Sequence, residues 1–313
     1  MSNIVPDLVV LCGIQGSGKS TWAKSLLRLK RCNPSNEVVL LSSDSYREVH
    51  PTWDNNQIFT ELYKDLNEAL QQGKDVVLDS TATTHKSRRK IFNALKFDCR
   101  KVCIIMNTPY QQCVERVQAR NLKSDRQVPI EVIQLYYEAF EIPMYSEGFD
   151  IILFNKGETY NSQRNEARYL QIKASMDDFD QLSEWHAETL DKHAEMVTGY
   201  LIGQKVNDIA LLEAATLHDI GKLKTQRPKI KNPKFMSYFN HANVGAYDLM
   251  CEPDIFTYPL DSLAYINYHM QIANAFKSPR AQERALKRYG NYHFERLCLL
   301  NKADQSGRIH RGE

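Results

Sequence analysis

Short apolar runs recur along the first half of the chain, at residues 8–12, 38–41, 75–78, 102–106 and 151–154. They are rich in β-branched residues and mostly lack alternation, the pattern of strands buried on both faces. Between them the period becomes helical. In 57–72, Ile58, Phe59, Leu62, Tyr63, Leu66 and Leu70 form one apolar stripe, and Gly73 ends it. Strands alternating with helices predict a parallel sheet covered by helices, with ligands at the carboxyl ends of the strands. Residues 155–178 are polar, with a short helix over 167–173, and read as a boundary. From 179 onward, Phe179, Leu182, Trp185, His186, Thr189, Leu190, His193, Met196, Val197 and Tyr200 follow a helical period. Residues 206–217 form a nearly all-apolar helix, and no parallel-strand signal recurs. The expectation is therefore an α/β domain over 1–155, a linker over 156–178 and an all-α domain over 179–313.

Composition bounds this picture without changing it. The chain has 313 residues, 42% hydrophobic and 25% charged, and a net charge of +2. Those are the proportions of an ordinary globular protein, and any nucleic-acid footprint has to be local. The seven cysteines show no CxxC pair and no zinc spacing, so reduced thiols in a cytoplasmic compartment are the simplest reading. The N-terminus lacks the pattern of a signal peptide, and no apolar run approaches 18 residues, so no membrane segment is expected.

The first chemical motif follows the first apolar run. Residues 13–21 read Gly-Ile-Gln-Gly-Ser-Gly-Lys-Ser-Thr and precede a helical segment. This is the phosphate-loop pattern in its required context of strand, glycine loop and helix N-terminus. Gly13, Gly16, Ser17, Gly18, Lys19, Ser20 and Thr21 are the residues that would cradle ATP or another nucleoside triphosphate. Lys19 would reach the β/γ-phosphates, and Ser20 would ligate Mg²⁺. Two carboxylates follow at predicted strand ends on the same side. Asp44, three residues before Arg47, is placed to accept a proton from an incoming hydroxyl, or else to cap the next helix. Arg47 can hold a second phosphate by bidentate hydrogen bonds. Asp79 reads either as an acid–base group or as a magnesium- or loop-orienting residue. Arg116, Arg120, Lys123 and Arg126 put four cations in eleven residues between two predicted helices. A closing lid over phosphates needs such a segment.

The second motif lies beyond residue 155, where seven of the nine histidines fall. The apolar helix ends in His218-Asp219-Ile220-Gly221-Lys222, and adjacent His and Asp at the mouth of a buried helix are costly unless something pairs with them. A divalent metal would satisfy both. With His193, His241, His269 and Asp304 the order becomes H…HD…H…H…D. That mixed donor set suits Mn²⁺, Ni²⁺, Co²⁺, Fe or Zn²⁺. His186 reads as a core histidine or one supporting the ligands, and His293 and His310 as surface residues. Lys222 is a weak candidate for holding a phosphate.

These motifs carry two resemblances. Over residues 6–155, the phosphate loop, Asp44-x-x-Arg47, the strand-end Asp79 and an arginine-rich segment with Arg120-Asn121 and Val128-Pro129 together resemble the phage-type polynucleotide 5′-kinases. The resemblance implies that Asp44 is the general base for the acceptor 5′-hydroxyl and that Arg47 holds the acceptor's 3′-phosphate. It implies lid contacts from Arg116, Arg120 and Arg126 to the donor phosphates, with the assignment of Arg120 against Arg126 left open because the segment from Arg120 to Val128 is about one residue shorter than in that family. Over residues 178–310, the series His193, His218-Asp219, Asp304 resembles the HD-domain metal-dependent phosphohydrolases, and His241 and His269 match the extra ligands of two-metal members. The two resemblances together imply an RNA end-healing enzyme. It would phosphorylate 5′-OH ends and remove 2′,3′-cyclic, 2′- or 3′-phosphates. Its partners would be RNA ends, with tRNA and DNA as alternatives, and an RNA ligase, with self-association open and no membrane involved. The competing readings are a nucleoside-type small-molecule kinase fused to an HD nucleotidase, and an HD module merely gated by ATP.

Overall fold

The computed structural model describes residues 5–32, 37–123 and 127–309, with backbone alone at 29–32. The chain divides into two compact units. Unit 1 comprises Met1–Tyr136 and Pro143–Lys156, and unit 2 comprises Tyr137–Ile142 and Gly157–Glu313.

Unit 1 is built on five parallel strands, β1 Asp7–Cys12, β2 Val38–Ser42, β3 Asp75–Asp79, β4 Arg100–Ile105 and β5 Ile151–Phe154. Their order is β2-β3-β1-β4-β5, so β1 lies at the centre. The expected strands and the parallel sheet are both present. The helices α1 Lys19–Cys32, α2 Ser43–Val49, α3 Asn55–Gln71, α4 His85–Ala94, α5 Tyr110–Asn121 and α6 Ile130–Glu138 connect or follow the strands. Burial follows the pattern read from the residues: β3 is buried throughout, and α3 buries Ile58, Leu62, Leu66 and Leu70. Asp54 caps α3 reciprocally with Gln57, and Gly73 follows it at φ +71°, a left-handed turn that suits glycine. One feature was not legible. The Arg88 guanidinium on α4 is fully buried and grips Glu147 through two 2.7 Å hydrogen bonds, with a third to the Ala82 carbonyl. That satisfies most of the donors that burial would otherwise strand.

Unit 2 is helical apart from a two-stranded antiparallel ribbon, β6 Arg227–Pro228 with β7 Met236–Ser237. Its helices are α7 Glu166–Ala174, α8 Leu190–Gly203, α9 Ile209–Leu217, α10 Lys222–Thr225, α11 His241–Met250, α12 Pro259–Ile272 and α13 Pro279–Ser306. Gly290, at φ +70°, kinks α13. The stretch 156–178 contains α7, close to the short helix expected over 167–173, and Arg168 on α7 makes paired hydrogen bonds to Glu252. One expectation needs correction. The helical period from 179 does not give a helix until Leu190. Asp178 and Leu182 have φ of +56° and +43°. Asp180 Oδ1 accepts from the Leu182 N–H and Ser183 Oγ from the Trp185 N–H, at 2.8 and 3.1 Å. Such side-chain bonds to nearby backbone favour turns over helix. The result is a loop closed by bridges between Asp180 and Thr189 and between Ser183 and His186. Among the described residues no helix is long and apolar enough to cross a membrane, and the six described cysteines are free thiols.

Candidate active sites in the two units

In unit 1 the loop 13–18 leaves the carboxyl end of the central strand and enters α1. Gly16 sits at φ +80°, and a Cβ there would lie 2.3 Å from the Cys113 carbonyl, so glycine is required on both counts. The Lys19 ammonium donates to the Gly13 and Ile14 carbonyls at 2.9 Å each, folding back over the loop whose phosphate it would hold. Burial pulls the Lys19 ammonium below its ordinary value, while Asp79 and Asp44 work in the opposite direction. Ser20 Oγ donates to Asp79 Oδ2 at 2.5 Å. This pairing joins the loop hydroxyl to the end of β3, and the two oxygens together could hold a magnesium ion on the β/γ-phosphates. The donor set fits Mg²⁺, a hard cation that prefers oxygen ligands.

The expected acceptor residues lie on α2. Helix α2 starts at Ser43 with Ser42 in the capping position, so Asp44 lies in its first turn and the capping alternative does not hold. Asp44 is exposed. Arg47 donates to Asp44 Oδ1 at 3.1 Å, to the Ser43 carbonyl at 3.1 Å and to Asn55 Oδ1 at 3.0 Å. An acceptor phosphate would therefore compete for a guanidinium already held in place. Register pairs Ser42 with Asp79, which puts the ends of β2 and β3 level. On the lid side, Arg116 Nη1 reaches the Gly16 carbonyl at 3.4 Å. Arg120 is exposed in the last turn of α5, and Arg126 lies outside the described residues. Asn121 ties the residues on either side of 124–126 together. It donates to the Val128 carbonyl at 2.9 Å and accepts from the Val128 N–H at 3.1 Å.

In unit 2 the six expected ligands come from α8, the α9 C-terminus, α11, α12 and α13, and they meet. Two overlapping sets form, His193–His218–Asp219 and Asp219–His241–His269, each with its ligand atoms within 4.8 Å of one another. Asp219 bridges them. Its Oδ2 lies 3.3 Å from His218 Nε2 and 3.7 Å from His193 Nε2, and its Oδ1 lies 3.0 Å from His241 Nε2 and 3.5 Å from His269 Nε2. Asp304 Oδ1 completes the first set, 3.1 Å from His193 Nε2 and 4.0 Å from His218 Nε2. Backbone carbonyls aim all four rings. The Nδ1 atoms of His193, His218, His241 and His269 lie 2.9, 2.8, 2.7 and 2.7 Å from the carbonyls of Gly307, Ala215, Tyr238 and Ile266. A carbonyl accepts from each Nδ1–H, which in a neutral ring leaves Nε2 a lone pair for the cluster, whereas His193, drawn up by Asp304 and Glu188, carries a proton on Nε2 as well.

That arrangement fits a divalent cation. His218 Nε2 is buried with no hydrogen-bond partner, and His241 Nε2 faces His269 Nε2 at 3.2 Å. Lone pairs converging on lone pairs in a buried site need a positive charge between them. Part of the demand is met by protons and a lysine. Burial alone would lower the His193 imidazole, but Asp304 and Glu188 push it up to about 9. Burial would raise the Asp219 carboxyl, but Lys222 and His218 hold it well below the ordinary range. Burial keeps His241 below its ordinary value. Lys222 is not available to a phosphate: it is buried and donates to Asp219 Oδ2 and Gln181 Oε1 at 2.6 Å each.

Glu188 escaped the reading of the residues. Its Oε1 lies 2.6 Å from His186 Nδ1 and 3.2 Å from His193 Nδ1, and its Oε2 accepts from the Ile309 N–H at 3.1 Å. His186 thus stands behind His193, as one of the two alternatives had it. His293 pairs with Asp261 at 2.9 Å, away from the ligand set, and His310 lies outside the described residues.

The fold and loop of unit 1 define a P-loop kinase domain, for which ATP with Mg²⁺ is the implied cofactor. Residues 8–143 match a family described as an AAA domain. Over 150 residues the chain is 29% identical to an L-seryl-tRNA(Sec) kinase of Methanococcus maripaludis, a match covering 46% of this chain and 56% of that relative. Among solved structures, a Pnkp1/Rnl/Hen1 RNA repair complex aligns at 20% identity and TM-score 0.38, over 42% of this chain and 43% of that one. A Mycobacterium tuberculosis APS kinase aligns at 18% identity and TM-score 0.36, over 49% and 91%.

Proposed function

We propose that the chain heals nucleic-acid ends. Unit 1 would phosphorylate a polynucleotide 5′-hydroxyl, and unit 2 would act as an HD-type phosphohydrolase on 2′,3′-cyclic, 2′- or 3′-phosphate ends. The convergence of His193, His218, Asp219, His241, His269 and Asp304, spread over 111 residues, on one bridging carboxylate carries the reading. In unit 1, Asp44 takes the proton from the acceptor hydroxyl as its oxygen bonds to the γ-phosphorus, and the bond to the ADP oxygen breaks. Lys19 and Arg116 hold the donor phosphates, Ser20 and Asp79 the magnesium, and Arg47 the acceptor's neighbouring phosphate. In unit 2, His193, His218, Asp219 and Asp304 would hold one divalent ion, and Asp219, His241 and His269 a second. Two such ions supply an activated water and a clamp on the phosphate that leaves. Glu188 and the four carbonyls keep the imidazoles aimed.

The deciding experiment incubates the protein with ATP, Mn²⁺ or Ni²⁺ and an RNA oligonucleotide bearing a 5′-OH and a 2′,3′-cyclic phosphate. Both product ends are then identified. A 5′-phosphate with a 3′-OH is expected, and either end left unchanged refutes that half. The similarity to a seryl-tRNA kinase favours one further reading, in which the acceptor is a hydroxyl carried on tRNA. Transfer of label to seryl-tRNA but not to the 5′-OH oligonucleotide would select it.

A further inference from the structure

From the His218-Asp219 pair the chain runs 28 residues, 220–247, past His241, without a carboxylate. Within it Lys222, Lys224, Arg227, Lys229, Lys231 and Lys234 put six cations in thirteen residues, while the remainder of the chain holds four more acidic than basic residues. This segment is the β6–β7 ribbon and its flanks. Aromatic residues follow the charge directly: Phe235, Tyr238 and Phe239, of which Phe239 is 76% exposed.

The ribbon is anchored to the metal-ligand cluster of unit 2. The Tyr238 carbonyl accepts from His241 Nδ1 at 2.7 Å, and the Tyr238 hydroxyl donates to the Gln181 carbonyl. The Met236 N–H donates to the Leu182 carbonyl at 2.8 Å, and Lys229 pairs with Glu184 at 2.8 Å. Glu184 adjoins Trp185, which is 56% exposed. Two aromatic faces on residues flanking the ribbon therefore stand open to solvent beside a basic surface.

The cations differ in how they are engaged. Lys222 is buried against Asp219. Lys224 and Arg227 pair with Asp248 and Glu138 at 2.6 and 3.4 Å, both through solvent-exposed cationic side chains. Exposed pairs of that kind are worth little and yield readily to a phosphate. Lys231 and Lys234 are exposed and make no ion pair among the described residues. A surface built only for stability has no use for two unpaired lysines on a ribbon and two exposed aromatic residues beside it. A single-stranded polynucleotide has a use for both, since lysines meet its backbone phosphates and aromatic faces stack on its unpaired bases.

We infer that the β6–β7 ribbon, with Lys231, Lys234, Trp185 and Phe239, is a track for the single-stranded nucleotides adjoining the end that enters the metal-ligand cluster. The inference rests on the proposed phosphohydrolase reading and deepens it, because the track makes that site one for polymer ends rather than for free nucleotides.

The test uses the full chain and two measurements. Phosphate release is compared between a 3′-phosphorylated RNA decamer and a 3′-mononucleotide, for the native chain and for Lys231→Glu/Lys234→Glu. Binding of a 3′-OH decamer, which needs no turnover, is followed by fluorescence anisotropy across a salt series in the native chain, Lys231→Ala/Lys234→Ala and Phe239→Ala. The charge reversal should lower kcat/KM for the decamer at least about tenfold and leave the mononucleotide unchanged. Removing the two lysines should flatten the slope of log K against log salt by about 1.4 for a single strand. Phe239→Ala should weaken binding without altering that slope. An unchanged slope together with equal losses on decamer and mononucleotide overturns the track. If the native chain hydrolyses neither substrate yet its decamer binding depends on the lysines, the phosphohydrolase reading falls and the track stands.

Discussion

Asp219 is where the two ligand sets of unit 2 share a residue, and its replacement by Asn tests the metal assignment most directly. A ligand that binds only the folded state stabilises it by RT ln(1 + [L]/Kd), about 2.7 kcal/mol at a hundredfold excess over Kd. In a unit of this size each kcal/mol moves the melting temperature by about 2–4 °C, so saturating metal should raise it by roughly 5–10 °C. The stripped protein already has reason to respond. His218 Nε2 is buried without a partner, and His241 and His269 face each other at 3.2 Å. The assay is thermal unfolding of chelator-stripped protein followed by circular dichroism, titrated with Mn²⁺, Ni²⁺, Co²⁺ or Zn²⁺. Asp219→Asn keeps the volume but removes the negative charge and turns one of the two oxygens, which face His218 and His241 at 3.3 and 3.0 Å, into an NH2 that cannot ligate a metal. The metal-induced rise should then shrink below about 2 °C, whatever the variant's own stability. If none of these metals shifts the native chain, or Asp219→Asn rises as much as the native chain, the metal assignment is refuted.

Glu188→Gln keeps a hydrogen-bonding group behind His193 but removes the charge, and should weaken metal affinity about 10–100-fold in competition with a chelating dye. Equal affinities would show that Glu188 does not orient His193. Gly221→Ala would bring a Cβ to 2.0 Å from the His241 carbonyl and 2.7 Å from the Gly245 nitrogen, so α11 must move. Metal content measured by mass spectrometry should fall as the Asp219–His241–His269 set is lost, and an unaltered stoichiometry would contradict that coupling. In unit 1, Lys19→Ala and Asp44→Ala should both stop transfer of labelled γ-phosphate, Asp44→Ala by about 10²–10⁴-fold if it is the base. Phosphate release by unit 2 should persist in both, and full transfer by Asp44→Ala would remove the general-base role.

The sheet was legible because its strands carry their own signature. Runs such as Asp75–Asp79, buried along their whole length, leave no polar face to confuse the period. The site at the sheet's carboxyl edge followed from the topological rule once the loop 13–18 was placed. The buried Arg88–Glu147 pair was not legible. A basic residue in a polar-looking helix and an acidic residue in a short turn, 59 positions apart, carry no signal until the fold brings them together. Asp44 was ambiguous for a similar reason. Whether it caps α2 or lies in its first turn depends on a shift of two residues, and the sequence does not resolve helix ends that finely.

In unit 2 the side chains that converge were legible and the groups that aim them were not, and the reason is chemical. Side chains announce themselves by type, whereas a carbonyl is the same at every position. Three of the four supporting carbonyls nonetheless lie three residues before their histidine, at Ala215, Tyr238 and Ile266, within reach of one turn of chain. His193 is the exception. Its Nδ1 has the Gly307 carbonyl from 114 residues away and Glu188 from the loop that was expected to be helix. The spacing of seven between His186 and His193 suggested neighbours on a helix stripe. They are neighbours, with ring centroids 4.6 Å apart, but only because the turns at Asp180 and Ser183 fold the loop back onto α8. A continuous helix would have put them two turns, about 10 Å, apart along its axis. The turn-forming residues that defeated the helix reading are therefore the same ones that deliver Glu188 to the back of His193, so the loop belongs to the site's chemistry as much as the ligands do.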